Sequence, residues 1–336
     1  MKKIIKEWIR AIVVGCILPC SLISFVMLMT KPAPGHIETQ PIQTTAPELF
    51  PTASDILPTQ ILLPQHTYIP VIVNDEYCEM ELEDYILGVV LGEMPADFEL
   101  EALKAQAVVA RTYTLKACVD GSRHNGAVCT KSGCCQAYKT PQAYLDDGGS
   151  EEGLKKVRAA VVQTSGQVLT YDGELIYATY FSCSGGSTED ASAVWGYDVP
   201  YLQAVESPGE EDASVYTKTV TFSAAELQKK MAVRLSGEPE NWFGKIRYTQ
   251  GGGVKSIEIG GVSYRGTTIR SLLKLRSTNF TVKVEGQNIV FTTKGYGHRV
   301  GMSQYGADAM AVLGSTYDQI LFHYYQGTKL ENYLPD

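Results

Sequence analysis

One proline between two apolar runs does most to constrain what this chain can fold into. Tyr85 to Glu93 reads as a short helix, and it must stop before Pro95 because the proline ring disfavours the α conformation at Met94. Glu93 is thereby set at a helix end, directly after apolar residues. A carboxyl group in that position is poorly solvated, which disfavours its charged form and raises its pKa toward the range of a general acid. A second helix is expected from about Glu99 to Cys118, with Gly121 as its stop. At about 100° per residue, Leu100, Leu103, Ala107, Ala110, Thr114 and Cys118 form one stripe, which Val108 and Leu115 widen. Lys104 and Arg111 fall inside that arc, nearly in line along the helix, and a cation among apolar neighbours needs a partner or a route to water. Two readings are open: both snorkel from the stripe edge, or both share a pocket with Glu93.

The run Glu-Met-Pro at 93–95, followed by Leu-Lys-Ala-Gln-Ala-Val-Val-Ala-Arg-Thr-Tyr at 103–113, resembles the stage II sporulation protein D family. Three later stretches extend the resemblance in the family's order. They are Phe-Ser-Cys-Ser-Gly-Gly-Ser-Thr-Glu at 181–189 with Val-Trp-Gly at 194–196, Gly-Tyr-Gly-His-Arg-Val-Gly-Met-Ser-Gln-Tyr-Gly-Ala at 295–307, and His-Tyr-Tyr-Gln-Gly at 323–327. The resemblance implies a membrane-anchored lytic transglycosylase of peptidoglycan, with Glu93 as catalytic acid and base and Lys104 and Arg111 needed for activity. It also implies action on glycan strands at the mother-cell membrane during engulfment of the forespore, beside an amidase and a membrane partner.

The N-terminus fits an anchor. Lys2, Lys3, Lys6 and Arg10 precede a run without charge from Ala11 to Met29, and Lys31 follows it. About 20 apolar residues cross a bilayer, and basic residues in front leave the N-terminus in the cytoplasm. A cleaved signal peptide is the rival reading, with a usual apolar core of about 7 to 15 residues. Residues 1–30 are therefore expected to be a single-pass anchor, 31–66 a Pro/Thr-rich tether, and 67–336 an extracytoplasmic catalytic domain. Strand signals cover Tyr68–Val73, and hairpins are expected for Val168–Tyr171 with Leu175–Phe181 and for Thr281–Glu285 with Asn288–Thr293. Ser223 and Glu226 form a capping-box signature before Leu227–Leu235. Further helices are expected near Thr268–Leu275, Gln304–Leu313 and Asp318–Tyr325. Without regular βαβ alternation, the fold class is α+β, mixed helices and antiparallel hairpins in two subdomains around a cleft, after the N-terminal transmembrane helix. The net charge of −8 gives no general attraction to nucleic acid, so any cationic site for an anionic polymer must be local.

Polar residues in the Gly-rich stretches are the candidate sugar contacts: Ser182, Ser184 and Thr188 in the first, His298, Ser303, Gln304 and Tyr305 in the second. The rival readings are an ordinary tight turn and a histidine satisfied inside the core. Of eight cysteines, six follow the anchor. His124, Cys129 and Cys135 lie close together in a polar loop, a density suited to a soft-ligand metal site, while disulfides are the ordinary expectation outside the cytoplasm. By resemblance these three hold a structural zinc, but the adjacent Cys134 leaves the choice between it and Cys135 open. Two other functions are consistent with these residues. One is a zinc hydrolase with Glu93 as its base; the other is a non-catalytic glycan-binding scaffold for other wall hydrolases.

Overall fold

Helix propagation in an Ala-rich segment supplies the central element. The computed structural model describes residues 67–333; the expected anchor, the whole of the tether and the last three residues lie outside the described residues. The chain enters through a hairpin, β1 (Tyr68–Val73) and β2 (Glu76–Glu81), turning at Asn74 and Asp75 with φ of 52° and 68°. It passes directly into α1 (Leu82–Glu93). The Glu81 side chain caps α1 by accepting from the Asp84 N–H at 2.9 Å, and Glu83 and Asp84 oppose the positive end of the helix dipole. Met94, extended at φ −131° and ψ 136°, ends the helix where Pro95 requires it. Next comes α2 (Leu100–Asp120), stopped by left-handed Gly121 at φ 61°.

The stripe expected on α2 is overturned. Thirteen of its residues are buried, from Ala102 to Ala117 and on every face. The reason is the ring of elements packed against it. After β3 (Val128–Cys129), which pairs parallel with β1, come α3 (Pro141–Asp146), α4 (Glu151–Gln163) and β4 (Gln167–Tyr171). α1, α4 and β4 all lie against α2. Small residues such as Ala105, Ala107 and Ala110 allow close approach on all sides, while Leu103 and Leu115 each contribute roughly 1.5–3 kcal/mol by leaving water.

The first hairpin forms only in part. β4 pairs with β5 (Glu174–Leu175), then the chain leaves the sheet, and β6 (Tyr180–Phe181) pairs elsewhere. The Thr179 carbonyl explains the departure, because it accepts from the Met302 N–H and the Tyr325 hydroxyl instead of a hairpin partner. β7 (Gly186–Ser187), α5 (Ala191–Trp195) and β8 (Glu206–Ser207) follow, with β7 and β8 antiparallel.

A second buried cluster is built from residues 217–294. It contains β9 (Thr217–Ser223), α6 (Ala224–Met231), the antiparallel sheet β10 (Phe243–Tyr248), β11 (Val254–Ile259) and β12 (Val262–Arg265), then α7 (Gly266–Leu273), β13 (Phe280–Glu285) and β14 (Asn288–Lys294). The capping box at Ser223 and Glu226 is present, but α6 ends at Met231 because Ala232 turns left-handed at φ 54°. Phe222, Phe243, Phe280 and Phe291 meet in this core. The chain then returns to the larger cluster through β15 (Met302–Ser303), parallel to β6, and through α8 (Gln304–Val312), α9 (Tyr317–Tyr324) and β16 (Lys329–Asn332), which pairs with β4. The described part is α+β with antiparallel sheets, and its helices and hairpins share two apolar clusters. None of its helices is long and apolar enough to cross a membrane.

Candidate active site

A cavity of about 540 Å³ opens where the end of α1, the loop after β3, β6 and the start of α8 converge. None of its lining residues comes from 217–294, so this cavity is built outside the second cluster. Glu93 supplies the only carboxyl group among the described lining residues.

The local sequence explains how Glu93 is held. Gly88 and Gly92 are one turn apart on α1, and their bare face accommodates residues 137–139. A Cβ at Gly88 would come 2.2 Å from the Tyr138 ring, and one at Gly92 would come 2.7 Å from the Tyr138 nitrogen. The close approach lets the Lys139 N–H reach the Gly88 carbonyl at 2.9 Å. It also lets the Ala137 N–H donate to Glu93 Oε1 at 2.5 Å, while Gln304 Nε2 donates to the Glu93 carbonyl at 3.1 Å. Tyr180 completes the surroundings of the carboxyl group. Burial, then the neighbouring Glu93 charge and a hydrogen bond with it, push its phenol well above the ordinary value, so it remains a neutral donor. Gln136 Oε1 lies 3.1 Å from the same hydroxyl, so Glu93 and Gln136 are alternative acceptors for its single proton, and Gln136 Nε2 donates to Thr114 at 2.9 Å.

Lys104 and Arg111 are not brought to Glu93. Arg111 is wholly buried and forms a fork with Glu83, Nη2 to Oε2 at 2.6 Å and Nε to Oε1 at 2.8 Å, while Nη1 donates to the Gln167 carbonyl at 3.0 Å. Ten residues of helix, about 15 Å, separate Glu83 from Glu93, so Arg111 faces the far end of α1. Lys104 pairs with Glu101 at 2.6 Å and lies 5.7 Å from the centre of the Tyr317 ring. The pocket shared by Glu93, Lys104 and Arg111 is therefore overturned.

The polar candidates divide in two groups. Ser182, His298 and Gln304 line the cavity with Glu93. Ser184, Thr188 and Ser303 are buried and satisfied internally. The Ser184 hydroxyl donates to Glu210 Oε2 at 2.6 Å, Ser303 donates to Glu210 Oε1, and Thr188 accepts from the Val205 N–H at 2.8 Å. The Tyr305 ring meets Phe98 edge-on at 4.9 Å, outside the cavity lining. For these four the structural reading replaces sugar contact. His298 is neutral, because burial, then the nearby Arg270 charge, lower its pKa to about 4. Its Nδ1 accepts from the Val300 N–H at 3.1 Å, which leaves the ring proton on Nε2.

Two buried groups without a marked sequence signal hold the Gly-rich loops together. Glu210 accepts from the Ser184 and Gly185 N–H groups, each at 2.9 Å, in addition to the serine hydroxyls. Arg299 pairs with Glu189 at 3.1 Å and donates to the carbonyls of Ser184, Ser187 and Gly251 at 2.6, 2.7 and 2.6 Å.

At the cavity wall, which Cys134 and Cys135 help to line, one ligand atom each from His124, Cys129, Cys134 and Cys135 lies within 4.8 Å of the others. His124 Nε2 and Cys134 Sγ are 3.2 Å apart. All four cysteines of the 118–135 region are free thiols. Although burial opposes the thiolate, the Lys131 N–H and the neighbouring Cys135, Cys134 and His124 bring Cys129 down to about 7. Three thiols and one imidazole form a donor set that fits zinc, and Cys134 is added to the three residues expected.

The family profile described as stage II sporulation protein matches residues 74–171. The stage II sporulation protein D of Bacillus subtilis (strain 168) is 42% identical over 263 residues, covering 76% of this chain and 76% of that protein. That of Bacillus amyloliquefaciens gives the same identity and coverage. A Bacillus subtilis protein named amidase enhancer is 33% identical over 304 residues, covering 73% of this chain and 40% of its own length. Sequence identity at this level across most of both chains, together with the profile match that spans Glu93, makes this chain a member of the stage II sporulation protein D family.

Proposed function

We propose that this protein is a lytic transglycosylase of peptidoglycan, acting in sporulation, in which Glu93 is both acid and base. The observation that carries the reading is a single carboxyl group among the described residues that line the cavity. Glycoside hydrolysis generally uses two, about 5–9.5 Å apart, one of which activates water or attacks the sugar. An intramolecular transfer needs only one. Protonated Glu93 gives its proton to the oxygen between N-acetylmuramic acid and N-acetylglucosamine as the bond to C1 breaks. The resulting carboxylate takes the proton of the muramic C6 hydroxyl, whose oxygen bonds C1. The products are a free N-acetylglucosamine hydroxyl and a 1,6-anhydro-N-acetylmuramic acid end, with no water consumed.

The Ala137 N–H and the Tyr180 hydroxyl aim the carboxyl group, and the neutral His298 lines the same cavity without adding charge. Zinc held by His124, Cys129, Cys134 and Cys135 would supply folding free energy. Were all four side chains to bind the metal, no position would stay open for an activated water, which would argue against a zinc hydrolase. The N-terminal anchor would place this chemistry at the outer face of the mother-cell membrane during engulfment, beside an amidase and a membrane partner. A non-catalytic scaffold is the second reading, favoured by the name amidase enhancer carried by one relative. Mass spectrometry of digested glycan strands separates the readings. The expected ends are anhydro sugars, lighter by one water than hydrolytic ends, and Glu93→Gln removes them while strand binding persists. Hydrolytic ends, or cleavage unchanged in Glu93→Gln, would refute the assignment.

A further inference from the structure

With Lys104 and Arg111 engaged elsewhere, the cavity would lack a fixed cation were it not for Arg123. This residue lies in the turn that follows α2, is exposed, and lines the same cavity as Glu93. Its polar partner is the Tyr113 phenol, and among the described residues no carboxylate forms an ion pair with it. His298, the other basic side chain of the lining, is neutral. Among the described lining residues, Arg123 is thus the one with a permanent positive charge. It belongs to a chain whose net charge of −8 repels anionic polymers in general. Besides the Tyr113 phenol, the Cys135 and Cys134 sulfurs are neighbours of Arg123, so among the described residues no carboxylate occupies its fork; such a guanidinium suits a planar anion, because its N–H groups match a carboxylate in pairs and keep their charge at any physiological pH.

We propose that Arg123 recognises a carboxylate carried by the sugar strand and fixes its register over Glu93. The assignment rests on the reading of the cavity as a glycan site. The carboxylate has two sources in a peptidoglycan strand. One is the lactyl group of a muramic residue without its peptide, and the other is a free carboxyl group of an attached stem peptide. Both offer the same planar anion, and they differ in how far it stands from the sugar ring.

The test measures binding to the full-length chain carrying Glu93→Gln, so that no strand is cut, with and without Arg123→Gln and Arg123→Lys. Three probes are used: amidase-stripped strands, peptide-bearing strands, and neutral chitin oligomers. Arg123→Gln is expected to weaken at least one carboxylate-bearing probe about tenfold, to leave chitin oligomers unchanged, and to keep the melting temperature and bound metal of the parent. Arg123→Lys retains part of the affinity, since a point charge replaces a fork. A loss confined to stripped strands identifies the lactyl carboxylate, and a loss confined to peptide-bearing strands identifies the stem carboxylate. Equal losses on all three probes, no loss on any, or loss of metal in Arg123→Gln overturns the assignment. If the parent binds no probe, the glycan reading itself fails and takes Arg123 with it, whereas binding without anhydro products from the wild-type chain removes only the chemistry.

Discussion

Arg111→Met separates a structural role from a catalytic one. The native guanidinium is wholly buried, makes two bonds to Glu83 and one to the Gln167 carbonyl, and so joins α1, α2 and the start of β4. Its removal leaves the Glu83 carboxylate with the Gly166 N–H at 3.1 Å and partial access to water, since that side chain is 23% exposed. Breaking a fully buried pair costs about 3–5 kcal/mol, and the exposure of Glu83 puts this one near the lower end, about 3 kcal/mol. A domain of this size loses roughly 2–4 °C of melting temperature per kcal/mol, so the expected fall is roughly 6–12 °C. The double variant Glu83→Gln with Arg111→Met leaves no unpaired charge and should melt above Arg111→Met alone. Thermal denaturation of the four proteins closes the cycle, with turnover measured well below the lowest melting temperature. If Arg111→Met melts like the wild type yet has lost all turnover, the structural account is wrong and Arg111 acts on the chemistry.

Acid should destabilise the fold through His298. Folding lowers its pKa from 6.5 to about 4, so between these values the unfolded chain binds the extra proton; stability is complete above about pH 6.5 and is lost as pH falls toward 4. His298→Gln should flatten that part of a melting-temperature profile, and an unchanged profile would show that another group governs it. Metal removal should lower melting temperature and turnover together, with His124→Ala and Cys135→Ser reproducing both losses. Metal-free protein with an unaltered melt and full activity would rule out a structural zinc.

The sequence was most legible where a few adjacent residues decide the outcome. Pro95 fixes the conformation of Met94, Gly121 ends α2, Ser223 and Glu226 cap α6, and the β13–β14 turn follows from its glycine. Partners distant in sequence were not legible. Arg111 finds Glu83 across 28 positions, and a helical wheel shows that the cation needs a partner without saying which end of α1 supplies it. Glu210 is harder still, because it stands in an acidic run with Glu211 and Asp212, a pattern that usually faces water, yet only 1% of it is exposed. Its carboxylate is explained by donors from three separated segments. α4 did leave a signal, Ser150 as cap, two glutamates, then Leu154, Val157 and Val161 at helical spacing, so periodicity alone could have found it.

Gly88 and Gly92 join the local and distant parts of the site. Two glycines inside a helix weaken it by roughly 1 kcal/mol each relative to alanine, so sequence alone counts them against α1. Their benefit lies across the chain, where residues 137–139 occupy the space that side chains would fill. Because Cys135 is separated from Ala137 by a single residue, the loop that gathers His124, Cys129, Cys134 and Cys135 also delivers the N–H that holds Glu93. A disturbance of either glycine or of the thiol cluster must therefore move the same carboxyl group. The geometry consequently couples the loop of His124, Cys129, Cys134 and Cys135 to the Glu93 carboxyl group through two residues of backbone.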